Sequence, residues 1–373
     1  MTDYLNIQNI IFATFTIAFI IQLLYIWGVF ARLAFYKNKN DKRIEKPVSV
    51  VITSKDDYYF LKKHLPIILT QDYPDYEVIL VNDHSDDETD DYLKQLSDKY
   101  PHLKVVNMSF SVSFYPGKKF PLSIGIKSAK NELLLLTDAD CKVNSPHWIR
   151  NMQQGFDDST QIILGYGPYQ PQKGLLNTFI RYYSFFTATQ YLSFALAKMP
   201  YMGVGRNLAY RKSLFYKNNG FISHYKVPSG DDDLFINETA NSTNVKICIN
   251  PDSFTYSEPK TTFGQWFQQK RRHLSTGKLY KPKHQFMLSL YPFSLLAFYS
   301  LFAWQIYSPY LLYFAIGFFV IRLVSFLFIQ KTIMDKLGEK KLFLTSPILE
   351  LSIFLLNSFL VIINTVYKKN KWK

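Results

Sequence analysis

From Ile7 to Phe30 the chain carries no charged side chain. At about 1.5 Å per helical residue, a run this long covers the roughly 30 Å hydrocarbon core of a bilayer. It lacks the basic start and small-residue cleavage site of a secretory signal, so it reads as a retained anchor. Arg32, Lys37, Lys39, Lys42 and Arg43 follow at once. Basic residues mark the cytoplasmic flank of a span, which puts the N-terminus outside and the chain after Phe30 inside. Phe286–Trp304 and Pro309–Ile329 are two further candidate spans. Arg322 interrupts the second and needs a protein, water or headgroup partner. Leu344–Tyr367 is a fourth apolar run, containing Pro347, Glu350, Asn357 and Asn364. A single crossing there would leave the basic tail Lys368-Lys369-Asn370-Lys371 outside, against the charge rule; a re-entrant or interfacial course removes the conflict. The division that follows is a transmembrane anchor over residues 1–31, a cytoplasmic domain over 32–285, and transmembrane or interfacial helices over 286–373. The expected location is the cell (inner) membrane, with several passes.

The formal charge is +14 and aromatic residues make up 17% of the chain. Basic and aromatic together suit either nucleic acid or an anionic membrane face with interfacial Tyr and Trp. No RNA-recognition or zinc-finger pattern supports the first, so membrane lipids are the expected partner and nucleic acid is not. Cys141 and Cys248 lack metal-ligand spacing and read as reduced thiols of a cytosol-facing domain.

Residues 48 to about 285 alternate strand-like and helix-like patterns. Val48-Ser49-Val50-Val51-Ile52 is a β-branched run, followed by helical spacing over Tyr58–Leu69. Glu77–Val81 and Leu103–Asn107 are further strands, separated by a helix over Asp91–Tyr100, and Lys118–Lys130 is another helix. Leu133-Leu134-Leu135-Leu136-Thr137 is a short buried strand that ends in Asp138-Ala139-Asp140. Such alternation predicts an α/β fold with a parallel sheet and ligands at the carboxyl ends of its strands. Alternation along an extended segment points Asp138 and Asp140 the same way. Two carboxylates at a strand mouth form a hard-oxygen site suited to Mg²⁺ or Mn²⁺ carrying a diphosphate. Asp-x-Asp alone is common, and a strand-end turn with two solvated acids is the plainer reading of that motif in isolation. Leu175–Met199, with Phe179, Tyr182, Tyr183 and Phe186 at helical spacing, reads either as a helix near the membrane surface or as core.

Six pieces in order give the domain a wider likeness: Val48–Asp57, Val81-Asn82-Asp83-His84-Ser85, Gly117-Lys118-Lys119, Thr137-Asp138-Ala139-Asp140, Ser229-Gly230-Asp231-Asp232-Asp233 and Gln269-Lys270-Arg271-Arg272-His273. Together they resemble the membrane-bound family 2 glycosyltransferases. That branch includes cellulose and hyaluronan synthases and lipid glycosyltransferases. The resemblance covers roughly residues 47 to 280 and implies a GT-A (Rossmann-like) glycosyltransferase domain flanked by transmembrane helices.

The resemblance also implies roles. Asp83 would hold the uracil ring of the donor, and Asp56 its base or ribose; a helix cap is the plainer reading for Asp83 and for one of Asp56 and Asp57. Lys118 and Lys119 either meet the donor diphosphate or are solvated surface lysines. Asp138 would lie near the ribose or the metal and Asp140 on the metal itself. Gly205, Arg206 and Asn207 fall in a segment that lines the acceptor side in the family, though an ordinary turn fits them equally. Alignment puts the general base at Asp232, and a shift of one residue would hand the role to Asp231 or Asp233. As a plainer alternative these acids serve a helix N-terminus. Gln269 and Arg272 match a Gln-x-x-Arg-Trp signature that holds diphosphate and acceptor, with His273 in place of Trp. Arg suits phosphate through its planar fork. An interfacial basic helix is compatible with the same residues.

The expected activity is inverting, metal-dependent transfer from a nucleotide-sugar, a UDP-sugar above others, to a lipid, lipid-linked or cell-surface glycan acceptor. The missing Trp and the few spans set this above a processive polysaccharide synthase. A non-catalytic membrane scaffold with a relic fold is the rival from another class.

Overall fold

A computed structural model of the chain describes residues 2–38, 45–108, 117–307 and 309–366. Lys39, Asn40, Lys42, Arg43 and the tail Lys368–Lys371 lie outside them. Helix α1 (Thr2–Leu23) runs through a π-helical turn, Leu24–Phe30, into α2 (Ala31–Ala34). Then come β1 (Val48–Ser54), α3 (Tyr58–Leu69), β2 (Tyr76–Asp83), α4 (Thr89–Lys99), β3 (Leu103–Met108), α5 (Lys119–Ser128), β4 (Leu133–Leu136) and β5 (Cys141–Val143). The second half holds α6 (Trp148–Gln153), β6 (Ile162–Gly165), α7 (Leu175–Leu196), β7 (Leu208–Arg211), α8 (Lys212–Lys217), α9 (Asp233–Thr239), β8 (Val245–Cys248) and β9 (Thr255–Ser257). Helices α10 (Phe263–Leu274), α11 (Pro282–Gln305), α12 (Pro309–Leu337) and α13 (Ser346–Val366) complete the described chain.

The main sheet has seven strands in the order β3-β2-β1-β4-β7-β6-β8, and β5 and β9 form a separate pair. Strands β1 to β4 are mutually parallel, whereas β7 runs antiparallel to β4 and β6. The chain builds outward from β1 through β2 to β3 and then crosses back to lay β4 on the other side of β1. That reversal opens a crevice beyond the carboxyl ends of β1 and β4, where ligands bind in open sheets of this kind. The four leucines of β4 are at most 4% exposed. Leu134 and Leu136 pack with Val51, Ile79 and Ile126 on one face, while Leu133 and Leu135 pack with Val50, Leu65 and Leu80 on the other. A strand buried on both faces has no polar side, which is why this stretch reads as continuous leucine rather than alternation.

Helix α7 is buried nearly all round: Ile180, Tyr182, Phe185 and Leu192 are each fully covered. It lies in the core between the sheet and the apolar helices, packing Phe186 against Phe30, Tyr291 and Phe354. Four helical stretches are long and apolar enough to cross a membrane: Ile7–Ala34, Pro282–Gln305, Leu311–Leu337 and Ser346–Asn364. The second begins at Pro282, four residues earlier than the apolar run alone indicates, because Pro suits a first helical turn. Phe293, Tyr313 and Phe314 stand exposed on these helices.

The partner that Arg322 requires is Glu350. Arg322 Nη2 donates to both carboxylate oxygens at 2.8 Å and to Gln22 Oε1 at 3.0 Å. The Tyr291 hydroxyl also reaches Glu350, and Gln22 Nε2 donates to Ser294 Oγ at 2.8 Å. One polar knot thus draws on all four apolar stretches. Breaking such a pair strands a buried charge, at a cost of about 3–5 kcal/mol, whereas replacing both members with apolar groups is close to neutral. Glu350→Leu is therefore expected to destabilise the detergent-solubilised protein strongly, and Arg322→Met combined with Glu350→Leu to recover most of the loss. Thermal unfolding of the two variants checks this, and a double variant no better than the single one refutes it.

Helix α13 meets the sheet domain along its length. The Tyr183 hydroxyl donates to Asn357 Oδ1 at 3.0 Å, and Asn364 exchanges hydrogen bonds with the Arg271 side chain and carbonyl at 3.0 and 2.9 Å.

Candidate active site

The crevice beyond β1 and β4 is where the predicted acids converge. Asp138 and Asp140 follow β4 directly, and their carboxylate oxygens and Cys141 Sγ all lie within 4.8 Å of one another. Cys141, which its spacing left out of any metal group, joins this one by adjacency. Burial holds its thiol well above its ordinary value, with the Asp140 charge adding to the effect. It is therefore protonated in the metal-free protein, and for a hard cation the two carboxylates are the matching donors. Burial and the Asp138 charge raise the Asp140 carboxyl. Burial works against ionisation of Asp138 too, but Lys118, Arg206 and Arg272 outweigh it and hold that carboxyl low.

A third acid faces the pair. The Asp57 carboxyl is pushed up to about 6 by burial and by the charges of Asp140, Asp138 and Asp87. Sequence reasoning placed Asp56 at the donor, and the structure gives it another task. Asp56 adopts φ 55° and accepts the Asp86 amide at 2.8 Å, pinning the loop after β2. Asp57 holds the N-cap position of α3 and its carbonyl takes the Leu61 amide, but its side chain makes no cap bond; the Tyr58 amide goes to Asp87 Oδ2 at 3.0 Å. Asp87 also takes the Thr89 amide at the start of α4, so Asp83 is no helix cap. Asp83 ends β2 on the same rim, 2.9 Å from His84 Nδ1. Three carboxylates supply hard oxygen donors of the kind a divalent cation takes, with Lys118 bonded to them at Asp138.

Across the crevice lie the acids at the start of α9. Asp232 is its N-cap residue: Oδ1 accepts the Asp233 amide and Oδ2 the Gly205 amide, both at 2.7 Å. A methyl on Gly205 would sit 3.3 Å from Lys118 Nζ and 3.4 Å from Asp232 Oδ2, a close fit beside both side chains. Burial, then the charges of Asp231 and Asp233, push the Asp232 carboxyl up to about 7. Its neighbours are committed elsewhere. Asp231 is 7% exposed and pairs with Lys118 at 3.1 Å. Asp233 is equally buried, takes the Tyr280 hydroxyl at 2.7 Å and the Leu234 amide at 2.8 Å, and is also reached by Thr276.

Lys118 bridges the two sides, with Nζ 2.6 Å from Asp138 Oδ1 and 3.1 Å from Asp231 Oδ2. Lys119 does not share this role. Its ammonium, 6% exposed, donates to the carbonyls of His224, Val227 and Ser229 at 2.8, 2.7 and 2.6 Å. It fastens the loop that carries the acids rather than facing a diphosphate. Asn207 is likewise structural: fully buried, it accepts from Trp148 Nε1 and donates to the Tyr166 and Ser253 carbonyls. Arg206 stands on the Asp140 side, its guanidinium 4.5 Å over the Tyr169 ring and bonded to Ser257 and Ser184.

Helix α10 closes the crevice. Gln269 meets Tyr169. Arg272 faces Asp231, Asp138 and Asp232 from an exposed position. His273 is exposed beside it. Sequence reasoning missed Lys270. It is 6% exposed, with Nζ 4.1 Å over the Tyr183 ring and 5.9 Å from that of Trp266. Ring contacts return about 2 kcal/mol or more for a desolvated ammonium, an offset of the same order as the several kcal/mol for taking it out of water. Burial and the nearby Arg206 push Lys270 down to about 7.

A family model described as "Glycosyltransferase like family 2" matches residues 46–276. The probable glycosyltransferase YdaM of Bacillus subtilis (strain 168) is 25% identical over 248 residues, covering 63% of this chain and 56% of that protein. The beta-monoglucosyldiacylglycerol synthase of Trichormus variabilis is 29% identical over 119 residues, or 31% of this chain and 25% of that one. The chain thus spans little more than half of the first relative and a quarter of the second. Among solved structures, the mannosyltransferase PcManGT from Pyrobaculum calidifontis, in complex with GDP-Man and Mn²⁺, superposes with a TM-score of 0.58 at 18% identity. That match covers 89% of this chain and 98% of that one, and it shows a shared fold.

Proposed function

We propose a specific reaction for this chain, which belongs to glycosyltransferase family 2: inverting transfer of a sugar from a UDP-sugar to a lipid or lipid-linked acceptor at the cytoplasmic membrane face. The observation that carries it is the crevice with two unlike sides. On one, Asp57, Asp138 and Asp140 gather charge that asks for a cation. On the other, Asp232 sits near neutrality beside Gly205. In this reading Asp83 contacts the base, Lys118 and Arg272 the diphosphate, and Asp138 and Asp140 hold Mg²⁺ or Mn²⁺. When bound, that cation supplies compensation for the negative charge that develops on the leaving diphosphate. Asp232 takes the proton of the acceptor hydroxyl as its oxygen bonds to the anomeric carbon and the bond to UDP breaks. A fixed carboxylate and fixed cations need no reorganisation at that moment.

Supporting the donor class and the cation are the GDP-Man and Mn²⁺ of the mannosyltransferase that shares this fold. A lipid acceptor is supported by the monoglucosyldiacylglycerol that one relative is named for making and by the four apolar helices. We assign residues 1–31 to an anchor, 32–285 to the catalytic unit and 286–373 to membrane helices. We read α13 as lying along the cytoplasmic boundary, since Asn357 and Asn364 both bond to that unit. Such a course leaves the basic tail inside.

The test is a panel of UDP- and GDP-sugars given to the purified full-length protein with membrane lipid extract and Mn²⁺, with products read by mass spectrometry. The expected product is a lipid heavier by one sugar, made from a UDP-sugar. A ladder of many sugars would establish processive synthesis instead. Neither transfer nor donor hydrolysis with any sugar would overturn the enzymatic reading.

A further inference from the structure

Lys270 stands apart from the other cations of the crevice. Lys118 and Arg272 each face carboxylates. The charged neighbour that acts on Lys270 is another cation, Arg206. Among the described residues no carboxylate or carbonyl is within hydrogen-bond reach of its Nζ; the aromatic faces of Tyr183 and Trp266 are what surround it. Ring faces leave the three N–H donors of an ammonium without a hydrogen-bond acceptor. A secluded amine with no acid beside it gives up its proton readily, and an anion placed against it restores the charge and fills its hydrogen bonds.

Its place in the fold limits what that anion is. The site lies between α7 and α10, and the Tyr183 hydroxyl that walls it is bonded to Asn357 of α13, an apolar helix. Phe179 and Phe263 pack on Trp266 from the same side. The donor diphosphate belongs with Asp138 and Lys118 at the mouth of β4. Lys270 instead faces the boundary between the sheet domain and the apolar helices, where an amphiphile carrying an anionic group enters headgroup first.

We propose that Lys270, set against Tyr183 and Trp266, binds the phosphate of a phosphate-bearing lipid acceptor. This rests on the glycosyltransferase reading and names the acceptor's chemistry. Phosphate suits this ammonium because its charged oxygens accept short, strong hydrogen bonds from it. A charge kept here at the expense of the unliganded fold also predicts that removing it stabilises the empty protein.

The experiment compares full-length wild type with Lys270→Met and Lys270→Arg in neutral detergent. The first readout is the thermal midpoint with dioleoyl phosphatidic acid and with dioleoylglycerol, which differ only in the phosphate. Phosphatidic acid is expected to raise the wild-type midpoint and dioleoylglycerol to leave it unchanged. Lys270→Met should have a higher midpoint when unliganded and lose the response, and Lys270→Arg should retain it. With a phosphate-bearing acceptor in the transfer assay, Lys270→Met should raise the acceptor KM roughly ten- to hundredfold, the effect of one charged hydrogen bond. The UDP–Mn²⁺ affinity should stay within about twofold of wild type, because the donor contacts lie elsewhere.

Equal response to both lipids, or an unchanged acceptor KM in Lys270→Met, overturns the assignment. So does a shift confined to UDP affinity, which would move Lys270 to the donor site. If inorganic phosphate alone reproduces the response of the lipid, the ligand is a free anion and the lipid assignment fails. Transfer to phosphate-free lipid alone sinks this inference and leaves the glycosyltransferase reading intact. Lipid-phosphate binding without any donor turnover sinks that reading and leaves the site.

Discussion

Asp140→Asn loses transfer by roughly a thousandfold or more, yet folds at least as well as wild type. A divalent cation stabilises a departing diphosphate by several kcal/mol, and each 1.36 kcal/mol is tenfold in rate. The stability side follows from the sign of the shift. Burial and Asp138 raise the Asp140 carboxyl above its unfolded value. A carboxyl raised in the folded state makes stability fall as pH climbs past the unfolded value, so at pH 7 the charge is a liability in metal-free buffer. Asn removes the liability and keeps the shape. In metal-free buffer the variant should therefore melt no lower than wild type. Wild type should gain midpoint on adding Mn²⁺, by mass action on the folded state, and the variant should gain little. Chelation should silence wild type just as the substitution does. Full activity of Asp140→Asn in chelator would remove the metal from the reaction.

The parts of this site that depend on a strand were legible in the sequence. Leu133–Leu136 announces a doubly buried strand by composition alone, and whatever follows such a strand emerges at the crevice. The same logic places Asp83 at the end of β2. What sequence could not separate were adjacent residues of one type. Asp56 and Asp57 read alike, but φ 55° at Asp56 turns it to the Asp86 amide and leaves Asp57 facing the acids. Lys118 and Lys119 straddle the start of α5, where successive side chains diverge by about 100°. One spans the crevice; the other threads into three carbonyls. Local pattern holds no trace of that split, because the loop that supplies the carbonyls is more than a hundred residues away.

Tertiary packing hid two further features. Lys270 lies within a recognisable signature but off the positions that define it. Its seclusion depends on Tyr183, from a helix whose aromatic run fits a core equally well. Arg322 asked for a partner that hydropathy could not name. Glu350 sat in the one apolar run whose course the charge rule left open. Their bond accounts for both irregularities at once.

Asp232→Asn should cost about 10²–10⁴-fold in turnover, the usual contribution of a positioned general base. The amide keeps the volume, but its single oxygen can serve only one of the Gly205 and Asp233 amides, which bond to different oxygens in wild type; the variant should fold with a stability loss of about 1–3 kcal/mol for the amide left without an acceptor. UDP–Mn²⁺ binding should stay close to wild type, because the proposed donor contacts lie on Asp83, Asp138, Asp140 and Arg272. The pH profile gives a second readout. A base works only when deprotonated, and burial with the Asp231 and Asp233 charges sets Asp232 near 7. Wild-type kcat/KM should therefore rise about tenfold per pH unit below neutrality and level off above it, since kcat/KM reports the free enzyme. The residual activity of Asp232→Asn should lack that limb. The neighbours are controls with different expected failures. Asp233→Asn weakens the seat of Thr276 and Tyr280 and should lower stability more than turnover. Asp231→Asn frees Lys118 from one of its two acids and should alter diphosphate affinity while the acidic limb remains. If Asp232→Asn turns over normally and one neighbour is dead with its limb lost, the base belongs to that neighbour. If all three single variants keep both rate and limb, α9 carries no base, and proton removal falls to a group on the metal side of the crevice.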